Sequence, residues 1–288
     1  MSYKNFVPTY WAPELLKALR AKSVFAQGCH NEFTGEITKA GDSITFNGLS
    51  SPTVHDVDFE NRNKDIPDAE ELEDLSLKME IRKLQIVHFT IGDIDKAQQK
   101  GDLEGLMKDD TADVMADAMD KYIAAIGARK DTKLFYDKPM PVALGTSSAT
   151  QISPLDLLDD LLEALADNNV PDATPKELIV PNRFITLLRR EVRVLDTDNS
   201  DILKTGDTKK YNNIRIKPSN NLYKDPTTGA RYMCIRTPKY MGIADALNDL
   251  EAYRPERRFV DAIKAQHLYD AKIIRPKQGF FIPVTFDR

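Results

Sequence analysis

The sequence LSLKMEIRKLQIVHFTI, at residues 75–91, decides the fold because its apolar residues alternate over an unusual length. The alternating residues are Leu75, Leu77, Met79 and Ile81, then Leu84 and Ile86, and finally Val87, Phe89 and Ile91. Alternation at period 2 is typical of a half-buried strand, and the changes of phase indicate bulges or bends. At about 3.3 Å per residue the stretch spans roughly 55 Å, which predicts one long, bent strand that leaves the globular body.

A second strand and an acidic connection precede this stretch. In residues 43–47, Ile44 and Phe46 alternate with polar residues. Residues 56–74 carry nine carboxylates against two cations, and such a segment stays in contact with water. We therefore expect residues 43–47 to pair with the long strand, and the acidic segment to form the exposed tip of an extended β-arm.

A long amphipathic helix is predicted after the strand, over residues 94–128. Its apolar residues recur at spacings of three, four and seven, which places them on one face. Gly101 and Gly105 weaken the first turns, so the regular part begins near Leu103. The predicted buried face of this helix, the longest in the protein, comprises Leu106, Met107, Val114, Ala118 and Tyr122.

The second half of the chain contains one strongly marked helix, at residues 154–167. Ser153 is a suitable N-cap, Pro154 takes the first helical position, and leucines form one face. Further strands are predicted at residues 177–180, 214–217, 232–236 and 271–285, and further helices at 181–190, 245–248 and 255–264.

Composition excludes several classes of protein. Of the 288 residues, 41% are hydrophobic and 30% charged, as in folded proteins, and the net charge of −5 gives no overall basic footprint for nucleic acid. No apolar run approaches the ~18 residues of a membrane span. The N-terminal sequence lacks the pattern of a secretory signal. The two distant cysteines, Cys29 and Cys234, suit a reducing cytoplasm better than a disulfide framework.

Motifs for catalysis or cofactor binding are absent, so we predict no catalytic, cofactor-binding or metal-binding residues. Nucleotide-binding and nucleophile-elbow patterns do not occur, and the four histidines lack metal-ligand spacing. Cys29 and His30 are adjacent, and adjacent side chains do not face each other in a strand or a helix. Residues 196–207 begin like a calcium loop but lack its central glycine and final glutamate, which favours an ordinary surface turn.

Short motifs along the chain resemble, in serial order, the major capsid proteins of tailed bacteriophages, the family with the Hong Kong 97-like shell fold. KAGDSI at residues 39–44 is similar to that family's strand entry, and FTIGDIDKAQ at 89–98 resembles its junction between strand and spine helix. Further resemblances are those of residues 13–25 to its opening helix, 157–171 and 179–181 to its axial helix and strand, 219–222 to a late segment, and 257–279 to its return to the peripheral domain.

The resemblance implies an α+β subunit of two lobes, with the Hong Kong 97-like capsid fold. It places an N-terminal arm and opening helix at residues 1–20 and an extended β-arm loop at 47–85. The implied peripheral domain comprises residues 21–46, 86–144 and 266–288, with the spine helix at about 96–128. Residues 145–265 form the implied axial domain.

The resemblance also implies a function without catalysis. Such a coat protein assembles into hexamers and pentamers, which form an icosahedral phage head around double-stranded DNA. The implied partners are copies of the chain, a scaffolding protein, a portal and a decoration protein, with non-specific DNA contact and no membrane. The implied locations are the virion and, during assembly, the host cytoplasm. Two alternatives stay open: an encapsulin-type nanocompartment shell, and a metal-dependent hydrolase that uses residues 196–207.

The acidic tip indicates where neighbouring subunits attract each other. Arginine binds carboxylates through a planar fork, so the two arginine-rich clusters of the chain are the expected partners. We expect intersubunit salt bridges between the acidic residues Asp65, Asp68, Glu70, Glu71 and Glu73 and the basic residues Arg189, Arg190, Arg193, Arg254, Arg257 and Arg258.

Overall fold

The computed structural model combines helices with three β-sheets. The residues it describes are 17–19, 21–30, 43–46, 77–92, 103–129, 132–145, 147–148, 151–194, 210–256 and 260–286. Within these residues, eleven strands form sheets of two, three and six strands. The predicted mixed α and β class is confirmed.

The predicted β-arm begins as two short antiparallel strands, β1 (Ser43–Phe46) and β2 (Leu77–Glu80). Ser43 lies opposite Glu80 and Phe46 lies opposite Leu77, so the predicted pairing is confirmed. The predicted acidic tip belongs to residues 47–76, which lie outside the described residues.

The chain leaves the arm at Ile81 and Arg82 and continues as β3 (Lys83–Gly92). This strand pairs with β10 (Val260–Ile273) and belongs to a different sheet from β2. The prediction of one continuous strand is therefore wrong, although the change of phase does mark the break. The chain passes from the two-stranded sheet to the three-stranded sheet at Ile81, which is fully buried, and Arg82, which is exposed.

The three-stranded sheet has the order β3-β10-β9, and its other edge is β9 (Met241–Tyr253). The helices predicted at residues 245–248 and 255–264 are wrong, because both segments contribute to these long antiparallel strands. Alanine, aspartate, leucine and glutamate make β9 a poor strand by local preference, and pairing with β10 along its length overrides that preference. Residue 265, where the predicted axial domain ends, lies inside β10.

The six-stranded sheet has the order β4-β11-β8-β5-β7-β6. Its strands are β4 (Met140–Val142), β5 (Lys176–Val180), β6 (Lys210–Tyr211), β7 (Ile214–Pro218), β8 (Arg231–Arg236) and β11 (Gly279–Phe286). The pairs β4–β11 and β5–β7 are parallel, and the other pairs are antiparallel.

Helices cover both faces of this six-stranded sheet. On one face lie α2 (Pro154–Asp167) and α3 (Asn182–Val194). As predicted, Ser153 caps α2, and its hydroxyl accepts a hydrogen bond of 3.1 Å from the Asp156 amide. The opposite face, through Ile179 and neighbouring strands, packs against the N-terminal segment and α1 (Leu103–Ala124).

With 22 residues, α1 is the longest helix in the described part of the chain, but its predicted buried face is wrong. Val114 is 68% exposed and Ala118 is also exposed, whereas Tyr122 is half-buried. The side chains of Leu106 and Met107 lie outside the described residues. The residues that α1 buries are Ala112, Met115, Ala116, Met119 and Ile123. Small alanines allow close packing, and a face chosen by the size of its apolar side chains overlooks them. None of the helices in the described residues could span a membrane.

Candidate functional site

One buried carboxylate, Asp120 of α1, holds residues 21–30 of the N-terminal segment. Its oxygens accept hydrogen bonds from the Ser23 hydroxyl and from the backbone amides of Val24 (2.9 Å) and Phe25 (3.1 Å). Burial raises the pKa of the Asp120 carboxyl, and the three donors oppose that effect. The segment that precedes the arm is therefore fixed to the helix that follows it.

The same segment is fixed to the six-stranded sheet by Arg236 of β8, which is fully buried. Its guanidinium donates to the Phe25 carbonyl at 2.5 Å and to Cys29 Sγ at 3.1 Å, and lies 3.7 Å from the Glu177 carboxylate. Glu177 also pairs with Lys217 at 2.8 Å. A buried charge needs such partners, so Arg236 joins the N-terminal segment to the strands β5 and β8.

Both cysteines at this joint are buried as free thiols. Burial raises the pKa of the Cys29 thiol, and it raises that of Cys234 to about 12. A protonated thiol is a poor nucleophile and a poor metal ligand. The arrangement therefore favours a structural role for Cys29.

The arm rests on the three-stranded sheet. The buried apolar residues of this contact are Ile44, Phe46, Met79, Ile81, Ala244 and Leu268. The Lys272 ammonium donates to the Lys78 carbonyl at 2.9 Å and so links β10 to β2. A Cβ atom at Gly242 would lie 2.9 Å from the Phe46 ring, so glycine allows the arm to approach β9 closely.

A groove of about 710 Å³ lies at this base of the arm, between β2, the end of α1 and β10. We name it the arm-base groove. Its charged lining residues are the cations Lys78, Arg82, Arg129, Lys133 and Lys272 and the carboxylates Glu80 and Asp270. Five cations against two carboxylates make this a basic surface on a chain whose net charge is −5.

Tyr122 organises the inner wall of the arm-base groove. Its hydroxyl donates to Asp270 Oδ1 at 2.9 Å and accepts from the Arg129 guanidinium at 3.1 Å. The Lys83 ammonium lies 5.4 Å from the centre of the ring, within cation–π range. Burial and the neighbouring Asp270 raise the pKa of Tyr122, so the hydroxyl keeps its proton and its role as a donor.

The two carboxylates of the groove have partners within it. Glu80 pairs with the Arg82 guanidinium at 2.5 Å, which lowers the pKa of Glu80. Asp270 accepts from Tyr122 and, through its other oxygen, from the backbone amide of Arg82 at 3.3 Å. The positive charge of the groove thus exceeds what its own carboxylates balance.

Three of the predicted intersubunit residues have side chains in the described part of the chain, and they lie beside two different sheets. Arg189 and Arg190 are exposed on α3, beside the six-stranded sheet, whereas Arg254 is exposed after β9 of the three-stranded sheet. The other predicted residues of this set, or their side chains, lie outside the described residues: Asp65, Asp68, Glu70, Glu71, Glu73, Arg193, Arg257 and Arg258.

The arm-base groove was not predicted from the sequence. Its cations come from residues 78–82, 129–133 and 272, which are separated by long stretches of chain. In the described residues, no three His, Cys, Asp or Glu side chains are grouped as metal ligands would be, and residues 196–207 lie outside that part.

Solved structures of phage capsids share this architecture along the chain. A structure from Mycobacterium phage Che8 matches with a TM-score of 0.67 and 22% sequence identity, covering 98% of each chain. The capsid structure of the cyanophage P-SCSP1u matches with a TM-score of 0.65 and 16% identity, covering 92% of this chain and 89% of that one. The mature capsid of bacteriophage PhiM1 matches with a TM-score of 0.63 and 14% identity, covering 91% and 87%.

These similarities confirm the predicted resemblance: the chain has the fold of tailed-phage capsid proteins. No protein-family model and no curated protein matches the sequence. At 22% identity or less, the relationship is carried by the shared fold.

Proposed function

We propose that this chain is a major capsid protein, which self-assembles into hexamers and pentamers that form an icosahedral phage head around double-stranded DNA. The observation that carries the proposal is the match to the Che8 structure over 98% of both chains. The proposed role is structural and involves no catalysis.

The open part of the fold supports assembly. Among the described strands, β1 and β2 form a sheet of only two strands, which is marginally stable by itself. On the neighbouring edge strand β3, Leu84 is 39% exposed and Ile86 is 67% exposed. Apolar side chains on a sheet edge favour association, and in a ring of subunits a second copy covers them.

The same proposal includes an assignment of the parts of the subunit. We assign α1 as the spine helix, residues 145–265 as the axial domain and residues 47–85 as the extended loop. A scaffolding protein, a portal and a decoration protein are the proposed partners, and the head of the virion is the proposed location. The acidic tip is proposed to form intersubunit salt bridges, with the clusters at Arg189–Arg193 and Arg254–Arg258 as the surfaces predicted from sequence.

The observations favour a phage head over both alternatives. The similar structures reported above are from phages, which favours a phage head over an encapsulin-type compartment. A hydrolase would need residues 196–207 as its site, and the described residues provide no ligand cluster to extend it.

Sedimentation velocity of the purified full chain tests the proposal. Expressed alone and together with the scaffolding protein of its phage, the chain should form capsomers or closed shells that negative-stain microscopy shows as rings or hollow particles. A single species of 32.5 kDa under both conditions would contradict the proposed function.

A further inference from the structure

We propose that the arm-base groove is a binding site for a small molecule that carries several adjacent phosphate groups, as a nucleoside triphosphate does. The proposal goes beyond the proposed function, because it concerns a ligand of the single subunit and does not depend on assembly. Three features support it: the unbalanced charge of the groove, its volume, and the separate elements that its cations join.

Most cations of the groove have no carboxylate partner. Among the charged side chains that line it, only Arg82 forms a salt bridge within the described residues, and its partner is Glu80. Five cations and two carboxylates leave the groove with a net charge of +3. An anion with about three negative charges would balance this surface, and cations that converge on a concave site concentrate such an anion. The cations without a carboxylate partner are Lys78, Arg129, Lys133 and Lys272.

The contacts that these cations do make leave most of their hydrogen-bond donors available. Lys272 donates to the Lys78 carbonyl at 2.9 Å, and an ammonium has three donors. The Arg129 guanidinium donates to the Tyr122 hydroxyl at 3.1 Å, and a guanidinium has five. The exposed Lys133 ammonium lies 5.3 Å from the centre of an aromatic ring, a contact that occupies no donor. The groove can therefore direct many donors at one anion.

Phosphate groups suit this set of donors. The planar fork of arginine matches two phosphate oxygens, and lysine binds phosphate as a point charge. The groove contains both kinds of cation. On its inner wall, the Tyr122 ring already lies against the cations of Lys83 and Arg129, so this ring is not offered as a face on which a nucleic-acid base could stack. The wall therefore favours phosphates over bases.

The volume of the groove favours a compact ligand over a polymer. About 710 Å³ lies within the range of roughly 300–1,000 Å³ that is typical of sites for small molecules. Duplex DNA carries one charge per ~1.7 Å of its axis, and its binding needs a long tract of cations. The cations of this groove instead surround one concave site, which a row of a few phosphates can fill.

A ligand in this groove would join the arm to the body of the subunit. Lys78 lies on β2 of the arm, Lys272 lies on β10, and Lys133 belongs to the loop after α1. Like charges on these elements repel one another unless an anion lies between them. A bound polyphosphate therefore holds the arm against the body, and we expect it to raise the melting temperature of the protein.

Isothermal titration calorimetry of the unassembled full-length protein with inorganic tripolyphosphate tests the site. We expect one ligand per chain, bound at least about tenfold more tightly than orthophosphate, because adjacent phosphates add charge-assisted contacts. Added salt should weaken the binding, and the melting temperature should rise with the concentration of tripolyphosphate. Failure of the wild-type protein to bind tripolyphosphate would overturn this inference and leave the proposed function intact.

Substitutions on two sides of the groove locate the bound anion. Lys78→Gln with Lys133→Gln removes two exposed cations whose side chains hold no part of the buried core. The affinity for tripolyphosphate should fall by at least about tenfold, because two charge-assisted contacts are lost. Lys78→Arg with Lys133→Arg keeps both charges and should retain most of the affinity. Circular dichroism melting in the absence of ligand checks that each variant folds.

The matched control is Arg189→Gln with Arg190→Gln, which removes the same charge from the exposed face of α3. Its affinity for tripolyphosphate should stay within about twofold of wild type, because these cations lie outside the groove. Equal losses in the groove variant and in the control would mean that binding follows net charge, which contradicts a defined site. Binding of a duplex DNA oligonucleotide or of polyglutamate that depends on Lys78 and Lys133, without binding of tripolyphosphate, would mean that the groove serves a polymer and would refute the proposal.

Discussion

The six-stranded sheet and the arm region bury their apolar side chains to different extents. The arm region comprises β1, β2 and the three-stranded sheet. The sheet is covered on both faces by helices of the same chain, and α2 turns fully buried residues such as Leu158, Leu161 and Leu165 towards it. The arm and the three-stranded sheet leave apolar residues in water, among them Ile86 at 67% exposure and Tyr253 at 37%. The first region completes its core alone, whereas the second offers surfaces that another molecule can complete.

Removing Arg236 should give the largest effect on stability, because this residue joins the two regions through the N-terminal segment. Arg236→Ala leaves the Phe25 carbonyl without its donor, leaves Glu177 with Lys217 as its cation and opens a cavity in the core. We expect a loss of about 3–5 kcal/mol in the free energy of unfolding. Urea denaturation of dissociated protein measures it. The control Arg215→Ala, an exposed arginine on β7, should change it by less than about 0.5 kcal/mol. Equal effects would mean that the regions are not joined at Arg236.

Opening a cavity in the six-stranded region should cost almost as much. Leu161 is fully buried between α2 and the sheet, so Leu161→Ala should lower the free energy of unfolding by about 2–5 kcal/mol. Leu144, which is 41% exposed after β4, is the matched control, and its change to alanine should cost about 1 kcal/mol or less. A cost for Leu161→Ala no larger than that of the control would contradict a self-contained core.

Loss of the cap of α2 should have a moderate effect. Ser153→Ala removes the hydroxyl that accepts from the Asp156 amide, which typically costs about 1 kcal/mol. Ser153→Thr keeps a hydroxyl and should retain most of the stability. Thermal unfolding followed by circular dichroism compares the two. If threonine and alanine are equally destabilising, the effect arises from packing around residue 153 and not from capping.

In the arm region, replacing an exposed apolar residue should affect assembly and leave the stability of the subunit almost unchanged. Ile86→Ser replaces an exposed apolar side chain, so the free energy of unfolding should change by less than about 0.5 kcal/mol. The protein concentration needed for assembly should rise. Thr90→Ser, at an exposed position further along β3, should change neither quantity. Unchanged assembly by Ile86→Ser would show that this face of β3 stays in water.

The smallest expected effect is a dependence of stability on pH through Asp120, which binds the N-terminal segment to α1. Burial raises the pKa of Asp120 in the folded chain above its value in the unfolded chain. The folded state therefore holds this proton more tightly, and the associated stability is present below the unfolded pKa and lost as the pH rises through the folded pKa. Asp120→Asn cannot titrate, so its stability relative to wild type should improve as the pH rises through that window. Parallel pH profiles of the two proteins would contradict the raised pKa.

The sequence was most informative where the determinants of structure are local. Ser153 and Pro154 fixed the start of α2, and the change of phase near Ile81 located the break between two sheets. The face of α1 was predicted wrongly, because Ala112 and Ala116 are buried while the larger Val114 is exposed. Residues 245–248 and 255–264 were read as helix because their local preferences favour helix, and the pairing of β9 with β10 decides otherwise.

The candidate site was less predictable than the fold. Lys78, Arg129 and Lys272 are brought together only by the packing of the arm, α1 and β10, so neither spacing nor motif marks them. Clusters of arginine that are adjacent in sequence are visible at once, and this is why the prediction selected Arg189–Arg193 and Arg254–Arg258. A basic surface assembled from distant segments becomes visible only in three dimensions.

The central claim is that the arm region is completed by further copies of the chain. Electron cryomicroscopy of particles assembled from the full-length protein tests it most directly. The account predicts five- and six-membered rings in which a second copy covers Leu84 and Ile86. Particles in which that face of β3 remains in contact with water would contradict it.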